Sequence, residues 1–283
     1  MEISKVCVVG AGLMGRQIAL HTALYSCEVW LTDSNTEILE DVKKWAESYL
    51  DGRVKKGKID EQKASEAKAN FHVSDSLKEA ATDSDLIIEA IIEDEQIKRE
   101  FFKELSGYIK PTTIIATNSS RMVSSLFIDC VNDASRLANL HYFNPALSMK
   151  LVEIVQGEHT SEETMKTLTE FCENTGKKPV RINKEIDGFI VNNILNSLVE
   201  TACRLVEEGY CTYEDADIAC QFGLNHPMGP FKIMDFSGID LVYLQKKREY
   251  EMTGKKVPMY DTFEKMYEEK NWGMKTGKGF YEY

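Results

Sequence analysis

Two residues twelve positions apart carry the clearest chemistry in this chain, His141 and Glu153. His141 comes near the end of an apolar run, Leu137 to Tyr142, that reads as a β-strand. The sequence after it, Tyr142-Phe143-Asn144-Pro145, is turn-forming and would expose it. Glu153 lies inside the next apolar strand, Lys150 to Val155, where a carboxylate is costly unless something pairs with it. On neighbouring strands the two would meet, and the carboxylate would orient the imidazole to take or give a hydroxyl proton. The same pattern fits a buried ion pair with a purely structural role. The other four histidines, His21, His72, His159 and His226, have no acidic or nucleophilic partner placed to work with them and are read as structural or solvated.

Gly10-Ala11-Gly12-Leu13-Met14-Gly15 has the spacing G-x-G-x-x-G, which is a weak signal alone. Here it follows a strand, Lys5 to Val9, opens a helical pattern, and is followed by Asp33 at the end of the next strand. In that context Gly10 permits a tight turn, Gly12 lets backbone approach a pyrophosphate, and Gly15 lets helix and strand pack closely. Asp33 would accept hydrogen bonds from an adenosine ribose and repel a 2′-phosphate, so NAD is expected rather than NADP.

Elements of a recognisable kind must position these groups. Strands are expected at Cys27–Thr32, Phe71–Val73, Leu86–Ala90, Thr113–Thr117, Leu137–Tyr142, Leu151–Val155 and Lys178–Ile182, with a helix at Gln96–Tyr108. The expected fold is α/β, Rossmann-like and doubly wound, with a mostly parallel sheet. Asp33 to Phe71 is too long for an ordinary connection and is charged and helical in composition, interrupted at Gly52 and Gly57; it predicts a helical hairpin projecting from the domain. After about Asp187 the pattern becomes helical: Gly188–Glu208 with Val191, Leu195, Leu198, Ala202, Leu205 and Val206 near its buried stripe, then Tyr213–Phe222 and Pro230–Met252. The expected division is a dinucleotide-binding domain over residues 1–186 and an all-α C-terminal domain over 187–283.

The net charge of −12 argues against nucleic acid or anionic membrane as partners. No apolar run reaches the ~20 residues of a membrane span, and the N-terminal residues lack the pattern of a signal peptide. Seven scattered cysteines, none spaced C-x-x-C, disfavour structural zinc or a disulfide framework and fit reduced thiols in the cytoplasm.

Taken in order, Gly10 to Gly15, Glu89-Ala90-Ile91-Ile92-Glu93, Thr117-Asn118-Ser119-Ser120, His141 to Ala146, Lys150 to Ile154, Gly188-Phe189-Ile190-Val191-Asn192, His226-Pro227-Met228-Gly229-Pro230 and Lys275 to Tyr281 resemble the 3-hydroxyacyl-CoA dehydrogenase family, especially its short bacterial 3-hydroxybutyryl-CoA dehydrogenases. The resemblance covers essentially the whole chain. It implies that His141 is the catalytic acid–base group, with Glu153 its carboxylate partner. It also implies that Ser120 and Asn192 hold the substrate's 3-oxygen, that Glu93 and Lys98 line the cofactor side, and that Asn118 lies near the nicotinamide. The cofactor would be NAD, the substrate an (S)-3-hydroxyacyl-CoA, and the assembly a homodimer through the C-terminal domain.

The family's hairpin contacts coenzyme A, which would make Lys55 and Lys56 ligands. Acidic residues interleave with the hairpin's lysines, so a solvated helix face fits equally. Two departures bear on the acyl group. Asn118-Ser119-Ser120-Arg121-Met122 stands where the family usually has Asn-Thr-Ser-Ser-Leu, and the turn after the histidine reads Asn144-Pro145-Ala146-Leu147-Ser148, where relatives often carry a second proline. Arg121 would face solvent or an acidic substrate. In the latter case the enzyme would act on a free hydroxy acid, of the L-gulonate or carnitine type. A non-enzymatic NAD-binding role is the remaining alternative.

Overall fold

The computed structural model describes residues 2–283. By contact the chain divides into two compact units, Met1–Ile190 and Val191–Tyr283.

The first unit is built on eight strands: β1 (Lys5–Val9), β2 (Glu28–Thr32), β3 (Phe71–Ser74), β4 (Leu86–Glu89), β5 (Ile114–Thr117), β6 (Leu137–Tyr142), β7 (Leu151–Val155) and β8 (Lys178–Ile182). Their order across the sheet is β3-β2-β1-β4-β5-β6-β7-β8. β3 to β6 form one parallel set; β7 runs antiparallel to β6, and β8 parallel to β7. The apolar strands are covered on both faces, as parallel sheets require. In β1, Val6 and Val8 join Ile18 and Ala19 of helix α1 (Leu13–Ala23) on one side. Cys7 and Val9 join Ala80 and Ala81 of α4 (Leu77–Ala81) and Phe102 of α5 (Glu95–Leu105) on the other. The larger of these side chains, Val6, Val8, Ile18 and Phe102, each contribute roughly 1.5–3 kcal/mol when taken fully from water.

The hairpin after β2 consists of α2 (Thr36–Lys55) and α3 (Glu61–Asn70). Gly52 does not interrupt it: α2 runs through that position, and the chain turns only at Gly57, where φ is +62°. One glycine in a long helix costs about 1 kcal/mol, which the packing of Ala46 and Leu50 offsets. The hairpin also does not stand free. Ala46, Leu50, Ala64 and Ala67 form a core with Leu20 of α1. Two further helices that the sequence reading did not name flank this unit, α4 and α6 (Glu162–Asn174).

The second unit is helical: most of α7 (Phe189–Glu207), then α8 (Tyr213–Ile218), a π-helical turn at Ala219–Gly223, α9 (Pro230–Ser237), α10 (Ile239–Thr253) and α11 (Tyr260–Glu268). The expected helix over Pro230–Met252 is two, because Gly238 at φ +105° breaks it. Val199, Ala202 and Cys203 are the most deeply buried residues of α7 in this core, beside Phe231, Met234, Tyr260 and Phe263. The C-terminal tail is held by Asp235, whose carboxylate accepts from Phe280 N and Tyr281 N, both at 2.9 Å, and from the Tyr283 hydroxyl at 3.0 Å. A Cβ on Gly279 would come within 2.1 Å of that carboxylate, so only glycine fits there. Among the described residues no helix is long and apolar enough to cross a membrane.

Candidate active site

The carboxyl ends of β1, β2, β4, β5 and β6 share one edge of the parallel sheet, the edge where ligands meet such folds. Every candidate of the first unit except the two hairpin lysines clusters at or next to this edge.

His141 and Glu153 are register partners across the β6–β7 pair. The strands therefore place them face to face, and the imidazole Nδ1 lies 2.9 Å from Glu153 Oε2. The other carboxylate oxygen, Oε1, accepts from Ile190 N at 3.0 Å. Because a carboxylate accepts, Nδ1 carries the hydrogen and Nε2 is left for proton exchange. The pair is almost withdrawn from water, at 5% exposure for His141 and 1% for Glu153. Phe143 and Phe189 wall the imidazole, with ring centroids at 4.6 and 5.4 Å. Neither phenylalanine was singled out from sequence for this role. Phe143, two residues on from His141, is placed by simple alternation along the extended chain.

A second buried carboxylate stands at the end of β4. Glu89 accepts from Lys98 Nζ at 2.5 Å and Ile91 N at 2.8 Å on one oxygen, and from the Thr117 hydroxyl at 2.6 Å on the other. Lys98 also reaches Glu93 at 3.2 Å, and Glu93 accepts from the Ser119 hydroxyl. Lys98 is only 1% exposed, so its ammonium is committed to these two carboxylates. The sequence signal for Glu89 was the one used for Glu153, a carboxylate within an apolar run. Asn118 bridges the strands: its N–H donates to Glu89 O at 2.8 Å and its Oδ1 accepts from Tyr142 N at 2.9 Å. Ser120 follows in the turn, half-buried, and Arg121 is exposed.

Asn192 lies in α7, within the second unit. Lys55 and Lys56 lie at the C-terminal end of α2, exposed. His159 is not without partners: its Nε2 lies 3.3 Å from the Ser124 hydroxyl, which also donates to Glu185 at 2.9 Å. Burial holds its imidazole below the usual range, against the raising effect of Glu185. Glu185 engages the serine rather than His159 Nδ1, so the trio lacks the relay order of a hydrolytic triad.

Residues 5–186 match the family model for the NAD-binding domain of 3-hydroxyacyl-CoA dehydrogenase, and residues 188–283 match the C-terminal domain of the same family. The chain belongs to the 3-hydroxyacyl-CoA dehydrogenase family. It is 36% identical over 289 residues to the mitochondrial hydroxyacyl-coenzyme A dehydrogenase of Sus scrofa, covering 99% of this chain and 91% of that one. It is 34% identical over 284 residues to a Bacillus subtilis protein named "Probable 3-hydroxybutyryl-CoA dehydrogenase", covering 100% and 98%. The solved structure of (S)-3-hydroxybutyryl-CoA dehydrogenase from Ralstonia eutropha superposes with a TM-score of 0.90 at 30% identity, covering 100% and 99%. The chain is an NAD-dependent dehydrogenase of this family.

The residues of the glycine turn fit the dinucleotide. Gly10 adopts φ +102°, and a Cβ there would lie 2.5 Å from Ala90 O. A Cβ on Gly15 would meet Gly10 O at 1.7 Å, so that glycine is fixed by close packing. Gly12 differs: a Cβ there meets nothing within 4 Å, which leaves open space above the turn. Gly12 caps α1 without a side-chain hydrogen bond, and the first turn of α1 holds no acidic residue, so its amides and dipole are available to an anion. Asp33 is fixed by Ala11 N at 2.7 Å and Asn35 N at 2.9 Å, one on each oxygen. A carboxylate has further lone pairs, so a ribose diol can still be accepted.

Proposed function

We propose that this enzyme interconverts (S)-3-hydroxybutyryl-CoA and acetoacetyl-CoA with NAD(H), in fatty-acid breakdown or butyrate-type synthesis. The carrying observation is the His141–Glu153 pair, with Nδ1 committed to the carboxylate and the ring otherwise enclosed by phenylalanines. When bound, the nicotinamide exchanges a hydride with the carbon bearing the 3-oxygen. The chain's own part is proton handling. In oxidation His141 Nε2 takes the 3-hydroxyl proton while Glu153 stabilises the imidazolium; in reduction the same nitrogen returns it. Ser120 and Asn192 donate to the 3-oxygen and stabilise the charge that develops there. Gly10 to Gly15 and Asp33 bind and orient the cofactor, with Asn118 and Glu93 beside it and Lys98 setting the position of Glu93. Lys55 and Lys56 meet the anionic coenzyme A; both are exposed at a helix end, and among the described residues neither has an ion-pair partner, which supports that role.

The proposed assembly is a cytoplasmic homodimer. Seven unpaired cysteines suit a reducing compartment. In the second unit Ile194, Phe222, Leu224, Phe236, Leu241 and Met252 are exposed, at 58–85%. Apolar exposure of these side chains supports a partner in this unit.

The direct test is NADH oxidation with acetoacetyl-CoA against free acetoacetate. Turnover of the thioester, with loss of about 10²-fold or more in a His141→Gln variant that still binds NADH, is expected. Good turnover of the free acid alone would sink the thioester assignment. Arg121 favours a second reading, an acyl group or free acid with its own carboxylate, because it is exposed next to Ser120. Under that reading Arg121→Leu raises the Michaelis constant for the acidic substrate, and Lys55→Glu with Lys56→Glu leaves it unchanged.

A further inference from the structure

The reversal from Phe143 to Lys150 joins the two strands that place His141 opposite Glu153. Inside it, Ser148 N and Met149 N both donate to Pro145 O, at 3.0 and 2.9 Å, so the chain turns back on itself within a few residues. Two of its other carbonyls, those of Ala146 and Met149, are held from elsewhere. Lys177, the residue before β8, is 4% exposed and sends its Nζ beneath the reversal. That nitrogen donates to Ala146 O at 2.5 Å and Met149 O at 2.9 Å. It also lies 5.7 Å over the ring of Tyr142.

Among the described residues no carboxylate pairs with Lys177. The groups that face it are the Tyr142 ring, the Cys172 thiol and the His21 imidazole. A buried ammonium without a counter-charge is costly, and an apolar side chain would avoid that cost while filling the same space. What only a strong donor supplies is a grip on two carbonyls at once. Burial pushes the Lys177 ammonium down to about 8. A second tie reaches the reversal from the dinucleotide side. Leu147 N donates to Gln17 Oε1 at 3.5 Å, and Gln17 Nε2 donates to Leu13 O at 3.1 Å, within the glycine-turn motif. A proline at 147 would have no N–H for this tie.

We propose that Lys177 is a positioning residue for proton transfer at His141: by holding the Ala146 and Met149 carbonyls it fixes the reversal that seats Phe143 on the imidazole and keeps His141 in register with Glu153. This inference rests on His141 being the acid–base group of the reaction. Misplacement of a reacting group by about 1 Å can lower turnover by about 10²-fold without changing what is bound.

The experiment compares Lys177→Met, which fills the space without a donor, with Lys177→Gln, whose amide can donate to both carbonyls. His141→Gln is measured alongside. The readouts are kcat, the Michaelis constants for NADH and acetoacetyl-CoA, and melting temperature. Lys177→Met should lower kcat about tenfold or more with both Michaelis constants within about twofold, and Lys177→Gln should recover to about a third of wild type. A lower melting temperature with wild-type kcat per folded molecule would make Lys177 merely structural and overturn the proposal. Equal losses in the two variants would overturn it too, because hydrogen-bond donation would not matter. Should Lys177→Met not fold, Lys177→Gln decides: a threefold lower kcat at unchanged Michaelis constants supports the proposal, and an unchanged kcat defeats it. Retained turnover in His141→Gln would instead defeat the assignment of His141, whatever the Lys177 variants do.

Discussion

At one edge of the sheet two strands carry a buried carboxylate paired with a base, and the two pairs have been built for opposite ends. Glu89 gives both oxygens to protein donors, a lysine, a threonine and a backbone amide, and the lysine's charge is shared with Glu93. Nothing in that group is left over. Glu153 also has both oxygens occupied, but its base is an imidazole, and one imidazole nitrogen remains uncommitted after Nδ1 is used. An ammonium holds its proton across the physiological range, whereas an imidazole gains and loses one within it. Burial and charge pairing are thus common to both sites. What separates the proton-transfer site from the structural one is a second, unspent nitrogen on a base that can change its charge.

The sharpest way to break this contrast is to neutralise each carboxylate in turn. Glu89→Gln should leave the Lys98 ammonium buried against Glu93 alone, and removing one partner of a buried pair costs about 3–5 kcal/mol. Urea unfolding should show that loss, while kcat of the folded enzyme stays within about threefold of wild type. A collapse of kcat with little change in stability would place Glu89 in the chemistry and erase the distinction. Glu153→Gln should do the reverse. Turnover should fall by about 10²-fold, equivalent to about 2.7 kcal/mol of barrier, with the Michaelis constant for NADH little changed.

His21 sharpens the contrast from another side, because it is a buried histidine whose polar partner is a carbonyl rather than a carboxylate. Its Nε2 donates to Thr175 O at 2.8 Å. Burial first, and the Lys177 charge second, lower its pKa from 6.5 to about 3, against the smaller raising effect of the Thr175 bond. The unfolded chain therefore takes up a proton at His21 that the folded chain refuses. Stability contributed by this site is intact above about pH 6.5 and is lost as pH falls toward 3. The slope approaches 1.4 kcal/mol per pH unit, or about 2 kcal/mol by pH 5. Unfolding measured at pH 7 and pH 5 in wild type and His21→Asn should differ in slope by about one proton. Identical slopes would mean that the imidazole is already free to protonate in the folded chain.

Much of this was legible in the residues. Alternating apolar strands and the G-x-G-x-x-G turn with Asp33 specify a doubly wound sheet, and a carboxylate in an apolar strand specifies a partner. The physical reason is the same in each case: a local pattern has one inexpensive solution. Where two solutions are close in energy, the sequence misleads. Gly52 looks like a break, yet packing of Ala46 and Leu50 keeps α2 continuous. Gly238 looks tolerable within Pro230–Met252, yet the backbone adopts φ +105° there and ends α9. Long-range ties were beyond reach for a different reason. Lys177 with Ala146 is a contact between a side chain and a backbone carbonyl 31 residues away, and every residue has such a carbonyl.

The smallest expected effect lies one residue from His141. Strand alternation turns Tyr142 to the opposite face of the sheet, into the core with Leu140, Met165 and Cys172. Its phenol is 2% exposed, and its hydroxyl has no hydrogen-bond partner among the described residues. Burial drives its pKa well above the usual value, so the group stays neutral and acts as a bulky apolar side chain carrying one unsatisfied polar atom. An orphaned buried hydroxyl costs about 1–3 kcal/mol, part of which returns when the atom is removed without leaving a large void. Tyr142→Phe should therefore leave kcat unchanged and raise stability by up to about 1 kcal/mol. A loss of that size would mean that a buried water satisfies the hydroxyl. In that case the layer beneath the proton-transfer pair is a polar network, held jointly by Tyr142, Lys177 and His21.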